Sequence, residues 1–139
     1  MKEQINIAII DNHQVYRKGL KVVLSNLPVK VVAEGGNSKD LQYNDGFRSA
    51  DIILLDIGMQ CTSCGENLIN FLKENSRAQV IGMVQHYEHI RIDEMRDVGM
   101  NGFFIKNTNR REIELAVETV LSGTFYMPDT YRKLKTNKL

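Results

Sequence analysis

The chain has 139 residues, 42% of them hydrophobic, which suits one compact domain with a single core. Eighteen Lys and Arg against seventeen Asp and Glu leave a net charge of +1, which excludes a global electrostatic drive toward nucleic acid or anionic lipid. No apolar run reaches the roughly 18 residues of a membrane helix, MKEQINIAIIDN does not read as a signal peptide, and two cysteines three positions apart cannot staple a secreted fold, so a cytoplasmic protein with no membrane partner is expected.

Ile5 to Ile10 is a β-branched apolar run that stops at Asp11, the pattern of a strand buried on both faces and ending at a polar mouth. HQVYRKGLKVVLSN spaces Val15, Val22 and Val23 with Leu20 and Leu24 as one helical stripe that breaks at Pro28. VKVVAE (29–34) reads as a second strand closed by Gly35 and Gly36, and SKDLQYNDGF as a short helix. DIILLD (51–56) is the third strand. Gly65 opens ENLINFLKEN, a helix whose Leu68, Phe71 and Leu72 share one face.

Gln79 to Val84 is the fourth predicted strand and EHIRIDEMRDVG the fourth helix, with Gly99 as its left-handed C-cap. NGFFIK (101–106) is the fifth strand. In the last helix Asn109 and Glu112 resemble a capping box, Ile113, Ala116, Val117, Val120 and Leu121 repeat at helical spacing, and Gly123 ends it. Strand and helix alternating five times with short connections predict an α/β fold, a doubly wound five-stranded parallel sheet with helices on both faces. Ligands of such folds gather at the carboxyl ends of the strands.

That rule brings Asp11, Asp56 and Lys106, which end the first, third and fifth strands, to one crevice. Two carboxylates there suit a hard divalent cation such as Mg2+, and the lysine suits a phosphoryl group. The alternative is three ordinary strand-end polar residues with no joint role.

IAIIDNHQVYRKGLKVVL, DIILLDIGM and VGMNGFFIKNTNRREIELAVETVLSGTFYMPD resemble the response regulator receiver (CheY-like) domain, particularly receivers of the NarL/LuxR class. The resemblance covers residues 4 to 128, giving a receiver over 1–128 and a basic tail or linker start over 129–139. It implies the flavodoxin-like strand order 2-1-3-4-5 and a role in two-component signal transduction. A histidine kinase would pass a phosphoryl group to Asp56. Asp11, Asp56 and the Gly58 carbonyl would hold Mg2+, and Lys106 would contact the phosphoryl group. Partners implied are the kinase and, across the face of the fourth helix, fifth strand and fifth helix, an effector or a second copy. DNA would be reached only through a C-terminal domain that this sequence does not contain. No enzyme is implied beyond the module's own phosphoryl transfer and dephosphorylation.

Two positions depart from the family pattern. Asn12 replaces the second acid of the first strand, leaving a carbonyl as a weaker ligand and removing one negative charge. Val84 replaces the fourth-strand hydroxyl, and its partner aromatic is Phe103 rather than tyrosine. Either Asp56 still accepts phosphate with a blunted response, or the domain is a phosphorylation-independent binding module. In the loop after the third strand, Gln60 takes the place of a proline. Cys61 and Cys64 form CxxC, which His86 and His89 could approach to bind zinc, or which could act as a redox pair; the plainer reading is two free thiols. His13 reads as a loop or helix-start residue, and Arg132, Lys133, Lys135 and Lys138 as a solvated terminus.

Overall fold

The computed structural model describes residues 4–37, 40, 44–57, 70, 73–74, 76–86 and 91–137, with side chains as far as Lys133. Five strands, β1 (Ile5–Ile10), β2 (Val29–Gly35), β3 (Ile52–Asp56), β4 (Gln79–Val84) and β5 (Gly102–Ile105), pair in parallel in the order β2-β1-β3-β4-β5. This is the predicted doubly wound arrangement, with strand ends that differ from the predicted ones by a residue at most.

Because successive side chains of a strand point to opposite faces, the continuous apolar runs pack into two clusters, one on each side of the sheet, which corrects the single core expected. Ile7, Ile9, Ile52, Leu54, Ile81, Met83 and Phe104 pack on one face beneath α1 (Gln14–Leu24) and α3 (Arg110–Leu121). Ala8, Ile10, Ile53, Leu55, Val80, Val84 and Phe103 pack on the other, with Phe47 and with Met95 of α2 (Ile92–Asp97). Each fully buried large side chain contributes about 1.5–3 kcal/mol relative to exposure.

In α1 the buried stripe is Leu20 and Leu24, flanked by half-buried Tyr16 and Val23. Val15 and Val22 do not belong to it, being 84% and 68% exposed, which corrects the apolar stripe expected there. They lie seven residues apart on the outer side of the helix, turned away from the i, i+4 row of Tyr16, Leu20 and Leu24.

SKDLQYNDGF is not one helix across its described part. Asp40 is helical, whereas Asp45–Ser49 is a 3-10 helix that Asn44 caps by accepting from the Gly46 amide. The following predicted helix is seen only at Asn70, Lys73 and Glu74, which are helical. α2 is shorter than predicted within the described residues, and Gly99 has the expected positive φ of +97°. α3 is capped by Asn109 Oδ1, which accepts from the Glu112 amide at 2.9 Å. The other half of the expected box is replaced, because the Glu112 carboxylate accepts from the Thr108 hydroxyl and from Tyr126 Oη.

After α3 the chain turns at Gly123 (φ +92°) and runs alongside β5, with Gly102 and Tyr126 forming a parallel bridge. The Phe103 amide donates to the Tyr126 carbonyl and the Tyr126 amide to the Asn101 carbonyl. A Cβ on Gly102 would lie 2.9 Å from Tyr126 Cβ and from its carbonyl oxygen, so this close approach requires glycine. The chain then enters α4 (Asp129–Asn137), where Tyr131 is buried with its ring edge-on to Phe103 at 5.2 Å. Arg132 and Lys133 are exposed, as expected of a solvated terminus, while the helix carrying them is anchored by Tyr131 in the core.

Candidate functional site

The sheet register brings the strand ends together. Ile10 pairs with Leu55, so Asp11 and Asp56 leave adjacent strands side by side. Backbone bonds continue the ladder beyond the strands: Asp11 N–H to Gly35 O at 2.9 Å, Ile57 N–H to Met83 O at 3.0 Å and Lys106 N–H to Val84 O at 2.7 Å. These bonds fix the directions in which Asp11, Asp56 and Lys106 project.

The Lys106 ammonium lies 2.6 Å from Asp11 Oδ2 and 3.1 Å from Asp56 Oδ1, joining both carboxylates, and 4.7 Å from the centre of the Tyr16 ring. The Asp11 side chain is wholly buried, while that of Asp56 is 13% exposed and thus the carboxylate that faces the opening. Among the described residues Asp11 Oδ2 is buried without a hydrogen bond, and its close neighbour is the Lys106 ammonium at 2.6 Å. A buried carboxylate oxygen in that condition fits a cation site. Burial, and next the negative charge of Asp11, raise the Asp56 pKa above the ordinary aspartate value; the Lys106 charge opposes them in part. The Tyr16 hydroxyl is likewise pushed up by burial, then by Asp11 and Asp56.

His13 joins the site. It occupies the N-cap position of α1 without making a side-chain cap. Its amide donates to Asp11 Oδ1 at 2.7 Å, and its ring Nδ1 lies 2.9 Å from the same oxygen, 3.2 Å from Lys106 Nζ and 3.8 Å from Asp56 Oδ2. His13 is the helix-start residue expected, and the tight turn over 11–13 additionally sets its ring, 58% exposed, against Asp11. Arg17 escaped notice: its Nη1 donates to the Asp11 carbonyl and its Nε lies 3.3 Å from Glu34 Oε1, tying α1 to β2 beside the mouth. Asn12 is exposed. Val84 and Phe103 are buried in one apolar cluster, which extends to Tyr131. Gly58, Gln60, Cys61, Cys64 and His89 lie outside the described residues, and His86 is exposed.

Residues 7–118 match the family model of the response regulator receiver domain. The chain belongs to that family.

Among curated relatives, the receiver is 27% identical over 133 residues to the transcriptional regulatory protein DegU of Brevibacillus brevis, covering 91% of this chain and 56% of DegU. It is 29% identical over 136 residues to the transcriptional regulatory protein UhpA of Salmonella typhimurium, covering 96% of this chain and 68% of UhpA. These relatives are NarL/LuxR-class regulators. The chain spans little more than half of DegU's length. Among solved structures it is similar to the isolated REC domain of RcsB from Salmonella enterica serovar Typhimurium, with a TM-score of 0.77, 21% identity and coverage of 94% of this chain and 98% of that one. Receivers act in two-component systems, are phosphorylated on an aspartate, bind Mg2+ through acidic residues, and interact with histidine kinases and effector domains.

Proposed function

We propose that Asp56 is the phosphoacceptor of this receiver. The observation that carries the reading is the Lys106 ammonium held between the Asp11 and Asp56 carboxylates, where three strand ends meet. Asp56 Oδ attacks phosphorus as the bond from phosphorus to the kinase imidazole breaks, and the electron pair returns to the imidazole nitrogen. Asp11, Asp56 and the Gly58 carbonyl would hold Mg2+, with Asn12 as a weaker oxygen ligand. When bound, Mg2+ offsets charge on the transferring phosphoryl oxygens. Lys106 leaves Asp11 and contacts the phosphoryl group.

Val84 offers no hydroxyl to a phosphoryl oxygen, and Phe103 is fixed beneath Tyr131, so the conformational response is weakened. The kinase docks on α1, whose outer side exposes Val15 and Val22. Output passes to an effector or a second copy through α2, β5 and α3. DNA would be reached through a C-terminal domain beyond the receiver, and the setting is the cytoplasm. Among the described residues no helix is long and apolar enough to cross a membrane.

Incubation with acetyl phosphate and Mg2+ tests the assignment by intact mass. One phosphoryl group is expected on the wild type and none on Asp56→Asn. An unmodified wild type at millimolar Mg2+ would instead favour the phosphorylation-independent binding module.

A further inference from the structure

The cation site has an unusual donor set. Asp11, His13 and Asp56 each place one ligand atom within 4.8 Å of the other two. Asp11 Oδ2 is the buried carboxylate oxygen without a hydrogen bond. One cation already touches all three groups, since the Lys106 ammonium is 2.6 Å from Asp11 Oδ2, 3.1 Å from Asp56 Oδ1 and 3.2 Å from His13 Nδ1. The residue that could have supplied a third carboxylate is Asn12. An imidazole nitrogen thus stands where oxygen alone would favour Mg2+.

We propose that His13 ligates the site's divalent cation through Nδ1, and that this two-carboxylate, one-imidazole set selects a first-row transition ion over Mg2+. The inference builds on the proposed role of Asp11 and Asp56. With the ring proton on Nε2, Nδ1 presents its lone pair within the group that also holds Asp11 Oδ1 at 2.9 Å and Lys106 Nζ at 3.2 Å. Incoming metal displaces Lys106, so one cation leaves as another enters and the ligands keep their places. Imidazole suits the later first-row ions such as Co2+, Ni2+ and Zn2+ and is a poor ligand for Mg2+, so His13 widens the gap between them.

The probe is Co2+, used on the full chain with Cys61→Ser and Cys64→Ser so that thiols cannot compete. Equilibrium dialysis with elemental analysis measures Co2+ and Mg2+ separately, and the visible spectrum reports imidazole and carboxylate ligation. We expect one Co2+ per chain. His13→Ala should weaken Co2+ binding by about tenfold or more and change Mg2+ affinity by less than about threefold, with His13→Gln as a second variant should the alanine protein fail to fold. Unchanged Co2+ affinity in both variants, or a parallel loss of both ions, overturns the proposal. Acetyl phosphate labelling with Mg2+ separates the two readings. Labelled Asp56 without His13-dependent Co2+ binding sinks this inference alone; His13-dependent Co2+ binding without labelling sinks the phosphoacceptor reading alone.

Discussion

Asp56 and Val84 are the residues at which the proposed chemistry is most open to test. Burial and the neighbouring Asp11 charge raise the Asp56 pKa, so the folded chain holds that proton to a higher pH than the unfolded chain does. Asp56 therefore removes stability as pH rises from the ordinary value of 3.8 through its raised folded value. Asp56→Asn should be more stable than the wild type above that window and indistinguishable below it, as measured by urea unfolding across pH. In the proposed reading Val84 leaves the phosphoryl oxygens without a hydroxyl partner. Val84→Thr should enlarge the chemical-shift changes caused by beryllofluoride, at a stability cost of about 1 kcal/mol for a partly satisfied buried hydroxyl. No increase would show that Phe103 and Tyr131, rather than the absent hydroxyl, limit the response.

The elements differ in how fully the sequence discloses them. β1, β3 and β4 were legible because a strand buried on both faces must be apolar throughout, and the first polar residue then marks its end. Asp11, Asp56 and Lys106 became readable as a group for the same reason. His13 was not, since its role depends on a three-residue turn that aims Nδ1 at Asp11, and no periodicity records a turn's direction. The face of α1 was misjudged because valines lie on both of its sides, and apolarity alone does not say which side meets the sheet. That misjudged face yields a prediction. Val15→Asp combined with Val22→Asp should slow phosphoryl transfer from the cognate histidine kinase by about tenfold or more while leaving labelling by acetyl phosphate unchanged. Equal slowing of both would place the effect in the site and not in docking.

At the scale of the molecule, α4 bears on the far side of the sheet through the contact of Tyr131 with Phe103, beside Phe125 whose ring lies 6.3 Å from Phe103. Tyr131→Ala should lower stability by about 3 kcal/mol, in the range of large buried aromatic truncations, and should release α4 as judged by faster amide exchange there. A loss confined to α4 exchange, with global unfolding unchanged, would mean that the helix docks as a separate unit. The Gly102–Tyr126 bridge has another effect. The Phe103 amide and the Asn101 carbonyl are both paired with Tyr126, so at that end the flank of β5 is closed to a foreign strand. A chain shortened to end at Leu121 would lose that cover and present bare main-chain donors and acceptors, so clumping by strand addition should appear in it before any loss of phosphate chemistry.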